Sequence, residues 1–273
     1  VGSAASTVGK GIFTVATNVA KVSVAATTAG AAAVSTLTGL AINSYADYEQ
    51  LVGGVETLYK TSADKVRQYA ADAYKTAGLS ANEYMNTATT FAAALVSSLG
   101  GDTEQAAELA NTAISDMSDN ANKMGTNISS IQDAYNGFAK QNYTMLDNLK
   151  LGYGGTKTEM ERLIDDANKL NAAQGKATNY TIDSYADVVS AIHDVQNAMG
   201  ITGTTAKEAS TTIQGSINAT KSAWSNLVTG IADDNANFEQ LISNFVDSAT
   251  TAASNIIPRI EVALNGAAKL IES

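Results

Sequence analysis

Glycine punctuates this chain. Gly78, Gly100–Gly101, Gly125 and Gly200 each stand as a stop in a sequence whose apolar residues recur at steps of three and four, the period of a helix face. Starts follow two of these stops. Ser80 with Glu83, and Thr205 with Glu208, have the spacing of a capping box, in which a hydroxyl and a carboxylate take up the free amide groups of a helix's first turn. Stops, starts and periodic runs between them predict a succession of helices near 8–29, 32–60, 63–77, 81–98, 103–124, 128–141, 157–173, 183–199, 205–231 and 237–271. No segment alternates convincingly at the strand period, although the Val- and Thr-rich stretches of residues 1–40 are ambiguous. No short repeat stands out. The expected fold is all-α: a multi-helix bundle of glycine-broken amphipathic helices, with an apolar, small-residue helical segment at the N-terminus.

The faces of these helices can be read off. Ala106, Ala110, Ala113, Met117, Ala121 and Met124 line one side of their helix; Ile213, Ile217, Trp224, Leu227 and Ile231 line another, and Phe238, Leu241, Phe245 and Ala249 a third. Trp224 is the expected core anchor, buried beside Ile217 and Leu227, and its truncation to Ala is expected to cost roughly 3–5 kcal/mol. Pro258 falls inside the last helix and is expected to kink it. Aromatics make up only 6% of the chain, so small residues must supply much of the burial.

Residues 1–46 carry just two charges, Lys10 and Lys21, and the 25 residues from Val22 to Ala46 carry none. That window is long enough to cross a bilayer as a helix. Its large apolar residues are Val22, Val24, Val34, Leu37, Leu40 and Ile42; the rest is mostly Ala, Thr, Ser and Gly, so a lone copy is marginal for insertion. Ala26 and Gly30 suit close helix–helix approach in lipid. A helix buried in a hairpin is the competing reading, and a compact, strongly apolar signal-peptide core is missing. The expected division is therefore residues 1–46, a candidate membrane-interacting segment, and residues 47–273, a helical core domain.

Several stretches have residue types that suggest chemistry, and none has the spacing that chemistry needs. "NLKLGYGGTKTEM", residues 148–160, places Gly152, Gly154 and Gly155 before Lys157, but a phosphate loop needs Gly directly before the Lys and a strand feeding it. Thr156 with Glu159 reads instead as another helix start, with the glycines as a structural turn. His193 is the lone histidine and is expected as a polar residue on the 183–199 helix. Asp165–Asp166 and Asp233–Asp234 are neighbours, whose side chains on a helix diverge, and the second pair reads as a helix-to-helix turn. There is no cysteine, no EF-hand spacing and no nucleophile elbow. No catalytic, cofactor-binding or metal-binding residue is expected, and a net charge of −10 argues against wrapping a nucleic-acid backbone or reading its sequence. The chain begins at Val1 rather than Met, so an excerpt of a longer polypeptide is expected.

Two blocks carry a likeness. "YNGFAKQNYTMLDNLKLGYGGTKTEMERLIDDANKL", 135–170, and "EASTTIQGSINATKSAWSNLVTGIADDNANFEQLISNFVDSATTAASNIIPRIEVALNGAAKLI", 208–271, resemble the core of phage tail tape measure proteins, as found in phages and prophages of Gram-positive bacteria. The turn "GYGGTKTEM", "TIQGS…AWSNLVTGI" and "NIIPRIEVALNG" follow in the same order and spacing. The likeness covers roughly residues 50–271; residues 1–46 match only in character. It implies a virion structural protein that lies in the tail tube, sets tube length during assembly in the host cytoplasm, and leaves ahead of the genome during ejection. The implied partners are tail tube and tail tip proteins, tail assembly chaperones, further copies of the chain (about three, or a multiple) and the host cytoplasmic membrane. Some family members carry wall hydrolases; no such motif is present here. A continuous helix of this length would span at most about 400 Å, yet this chain is broken by turns, so it reads as a bundling region rather than the ruler's rod. An exported filament or secretion-system subunit fits the composition equally well. A pore-forming toxin is a further alternative, although its apolar hairpin should be more strongly apolar and internal to the bundle.

Overall fold

The structure, a computed structural model, describes residues 28–272. The helices are α1 (Thr28–Tyr59), α2 (Ala63–Thr76), α3 (Ala81–Ser98), α4 (Thr103–Met124), α5 (Ile128–Phe138), α6 (Lys157–Ala173), α7 (Tyr185–Ala198), α8 (Thr204–Thr211), α9 (Ile213–Gly230) and α10 (Phe238–Glu272), with short 3-10 turns at Lys60–Ser62 and Leu146–Leu149. No strand occurs among the described residues, and the fold is all-α. The helix predicted near 8–29 lies outside the described residues apart from its last two positions.

Most boundaries have local causes. Ser80 opens α3 with both arms of its capping box: the Glu83 backbone N–H donates to Ser80 Oγ at 3.3 Å and the Ser80 backbone N–H to Glu83 Oε2 at 2.8 Å. Asp102 caps α4 through the Glu104 and Gln105 amides. At the other end of α4, Gly125 takes the left-handed conformation, with φ of 64°, that stops the helix cheaply. The helix α10 continues through Pro258, which has no N–H to return to the preceding turn.

The chain divides into two compact units. Residues 49–207 form one; the other joins the segment ending at Tyr48 to the segment starting at Glu208. The first boundary lies two residues from the one expected at 46/47, but residues 208–273 separate from the rest of the expected core domain.

In residues 49–207, α4 is the central helix. It packs against α2, α3, α5 and α7. The predicted face holds at Ala106, Ala110, Ala113 and Met117, all at most 1% exposed, while Ala121 and Met124 are only half-buried. The alanines let neighbours approach closely, and large side chains fill the remaining space: Tyr59, Tyr84, Phe91, Tyr135, Phe138, Leu146 and Leu149 are fully buried. Tyr59 donates to the Ala88 carbonyl at 2.9 Å and Tyr84 to Asn111 Oδ1 at 3.0 Å, so their hydroxyls carry no orphan penalty.

The other unit is dominated by α9 against α10, an antiparallel pair whose register is set by Gly230 beside Leu241, Trp224 beside Phe245, and Ser216 beside Asn255. We call it the hairpin unit. The helix expected over 205–231 is in fact two. Thr212 breaks it by capping α9, accepting from the Gly215 amide at 3.0 Å. The chain folds so tightly there that a Cβ on Gly215 would lie 2.3 Å from the Glu208 carbonyl oxygen. Asn255 of α10 donates to the Ser210 and Thr212 carbonyls at 3.3 and 3.1 Å, satisfying groups that the break leaves open.

Candidate functional site

The glycine turn of residues 152–156 is closed by its own side chains. Thr156 caps α6, accepting from the Glu159 amide at 3.2 Å. Glu159 reaches past the usual capping-box target and accepts from the Gly154 amide at 3.0 Å. Arg162 donates to the Gly152 carbonyl at 2.8 Å and to Glu159, and its guanidinium lies 4.3 Å from the centre of the Tyr153 ring. The Arg162 and Gly154 contacts together hold Glu159 below the usual carboxylate range. Gly155 is glycine for a steric reason, because a Cβ would meet the Thr144 carbonyl oxygen at 2.2 Å. The preceding residues form the 3-10 turn, not a strand. The amides that a phosphate loop would present are thus turned toward Glu159 and Thr156.

The other sequence-flagged carboxylates are also engaged locally. Asp165 and Asp166 both pair with Lys169, and Asp166 accepts from the Tyr153 hydroxyl at 3.0 Å. Asp233 lies in the α9–α10 turn and accepts from the Asn235 amide. Among the described residues no group of acidic or histidine side chains has the arrangement of a metal site.

Thr205 corrects an expectation. It does not cap α8 with Glu208. Asp119 of α4, 84 residues upstream of Gly203, accepts from the Gly203 and Thr205 amides at 2.6 and 2.7 Å. A carboxylate from a neighbouring helix therefore takes the place of the local cap, at the positive end of the helix dipole.

His193 likewise has a partner that the sequence did not announce. Its Nδ1 lies 3.0 Å from both carboxylate oxygens of Asp116, which is 1% exposed on α4. Burial pushes Asp116 up, and the carboxylate beside His193 pushes the imidazole up against its own partial burial.

The candidate membrane segment is only partly within view. Val22, Val24 and Ala26 lie outside the described residues; Gly30 and Val34 lie in α1, where only the backbone is described. Leu37 is half-buried, Leu40 and Ile42 are 56% and 57% exposed, and Ala41 between them is 1% exposed. Among the described residues no helix is long and apolar enough to cross a membrane.

Trp224 is not the buried anchor expected. It is half-buried, with its ring tilted on Phe245 at 5.3 Å between centres. Ile213 and Ile231, expected on the same inner face, are 37% and 40% exposed. What α9 buries is smaller and more polar: Ser216, Ala219, Ser222, Ala223, Asn226, Leu227, Val228, Thr229 and Gly230. Near the turn, Gly230 leaves room for the Leu241 side chain: a Cβ on Gly230 would sit 2.3 Å from Leu241 Cδ1. The hydroxyls tolerate burial because they bond to their own helix one turn back: Ser216 to the Thr212 carbonyl at 2.6 Å, Thr229 to the Ser225 carbonyl at 3.1 Å. Ser44 of α1 adds a hydroxyl contact to Thr229 at 2.6 Å. The large apolar side chains are displaced outward, and Leu40, Ile42, Ile213, Ile231, Phe238, Ile257 and Val262 are all exposed.

These exposed apolar side chains of the hairpin unit are the candidate functional site. No family model, no curated protein and no solved structure matches the chain.

Proposed function

We propose that the chain is the core region of a phage tail tape measure protein, a virion structural component that sets tail tube length and is released to help the genome cross the host cytoplasmic membrane. Sequence support comes from the "GYGGTKTEM", "AWSNLVTGI" and "NIIPRIEVALNG" blocks. The observation that carries the reading furthest is the inverted packing of the hairpin unit: Ser216, Ala219, Ser222 and Thr229 lie inside while Ile231, Phe238 and Ile257 lie outside. Exposed apolar surface of this kind calls for a covering partner. Copies packed side by side in a tube lumen supply one, and so does a membrane reached after ejection.

The partners of this reading are a small symmetric homo-oligomer of about three copies or a multiple, tail tube and tip proteins, and assembly chaperones that shield the chain before the tube closes. The role is structural, not enzymatic. The acidic balance of 17 basic against 27 acidic residues keeps DNA from adhering as it passes. Residues 22–46 meet lipid only as an assembly, with small faces packed together and hydroxyls turned to a lumen.

Mass spectrometry of particles of a phage that encodes this sequence tests the assignment. The chain is expected in intact tails and depleted from tails that have released their DNA; its absence from intact tails contradicts the assignment. Liposome leakage tests the membrane arm, with Ala26→Asp and Val34→Asp expected to abolish leakage. Equal behaviour of the Asp variants and the parent removes that arm.

A further inference from the structure

We propose that His193 and Asp116 form a proton-linked clasp in residues 49–207, tying α7 to α4 while the imidazole is charged and loosening when it is not. The inference does not depend on the tail assignment. It rests first on geometry: one ring nitrogen stands 3.0 Å from both oxygens of a carboxylate that is 1% exposed. The His193 side chain is 33% exposed, so its proton can exchange with solvent while Asp116 cannot be hydrated.

Among the described residues no other cation acts on Asp116. The charged groups acting on the pair are Asp119, from α4, and Asp194, from α7, both acidic. Asp119 is held by the Gly203 and Thr205 amides, and Asp194 accepts from the Asn171 amide of α6 at 2.6 Å. On the α5 side Tyr135 faces Asp116, fully buried and next to Gln196, which is 0% exposed. From α3, Ser98 Oγ accepts from the Ala186 amide of α7 and the Tyr84 hydroxyl donates to Asn111 of α4, both neutral groups. Loss of the imidazolium charge therefore leaves a buried carboxylate uncompensated among acidic groups, the costly outcome for a buried pair.

His193 and Asp116 are both raised in the folded chain, so folding takes up protons. The histidine's contribution is fully present below its ordinary value of about 6.5 and is lost as pH rises through the folded value. Lys65, Lys75 and Lys169 are raised too, but they titrate beyond the ordinary lysine value of about 10.4, outside this window. His193 is the chain's single histidine, so side-chain titration between about pH 6.5 and 9 belongs to this pair.

The test uses the full 273-residue chain. Urea unfolding is followed by near-ultraviolet circular dichroism of the tyrosines, all but Tyr45 and Tyr48 of which lie in residues 49–207. For the parent, the unfolding equilibrium constant is expected to rise above about pH 6.5, by at most tenfold per pH unit for one proton. For His193→Gln the rise should vanish. The single imidazole resonance, titrated by NMR in the folded parent, should have a midpoint above about 6.5, and Asp116→Asn should lower it. A parent midpoint at or below that value overturns the clasp, as does the same pH slope in parent and His193→Gln. If His193→Gln does not fold, the parent's NMR midpoint decides alone.

Discussion

Residues 49–207 and the hairpin unit bury different things. Around α4 the interior is made of Tyr59, Phe91, Tyr135, Phe138 and Leu149, with alanines where helices touch. Between α9 and α10 it is made of Ser216, Ala219, Ser222 and Thr229, with Trp224 and Phe245 half-covered at its side. Among the described residues, Met145 and Met199 are the large exposed apolar side chains of the first unit; the second exposes Leu40, Ile42, Ile213, Ile231, Phe238, Ile257 and Val262. The first arrangement gains its stability from apolar area removed from water, about 25 cal/mol per Å². The second buries smaller and more polar side chains, so it gains less from apolar area, and its large side chains stay partly in solvent.

The difference can be broken from either side. Phe138→Ala removes a ring that is 1% exposed and lies 5.7 and 6.0 Å from the centres of Tyr135 and Tyr143. It should cost residues 49–207 about 3–5 kcal/mol in urea unfolding read by the tyrosines; a loss below about 1 kcal/mol means that this core is not packed as described. Gly215→Ala places a methyl 2.3 Å from the Glu208 carbonyl, which is backbone and cannot swing away. A cost of about 2 kcal/mol is expected, read by the fluorescence of Trp224; an unchanged midpoint refutes the tight fold at the α8–α9 break. Trp224→Ala, in the larger and greasier residue, should cost less than either, about 1–2 kcal/mol by far-ultraviolet circular dichroism, because a half-buried ring forfeits a fraction of the 3–5 kcal/mol of a buried one. The full value would restore Trp224 as a core anchor.

How much of this was legible depended on whether the cause was local. Caps and glycine stops act within a few residues, so α4 and α6 run over the predicted spans 103–124 and 157–173. The turn ahead of α6 was legible for the same reason, through Thr156 and Glu159. The break at Thr212 has a local sign, since Thr212 caps α9 through the Gly215 amide three residues on, while the Asn255 amide that satisfies the open carbonyls acts across the hairpin. The Asp119 cap on α8 has none, since Thr205 and Glu208 offer a plausible local cap in the wrong place. The inner face of α9 differs from the expected one because large side chains are the usual mark of burial, and here small and hydroxyl-bearing side chains take most of the inner positions. For the His193–Asp116 pair one signal is available: Asp116 lies next to Met117 and one turn after Ala113, at the edge of the periodic apolar face, a position where a charge requires a partner.

We propose that the exposed apolar side chains of the hairpin unit associate with further copies of this chain. Analytical ultracentrifugation of the purified chain, beside an Ile42→Asp variant, addresses it directly. Ile42 is 57% exposed, so the substitution should leave the fold intact. The parent is expected to sediment as an oligomer of about three copies or a multiple, and the variant to dissociate with its far-ultraviolet circular dichroism unchanged. A parent that stays monomeric at every concentration, or a variant that assembles as the parent does, contradicts it.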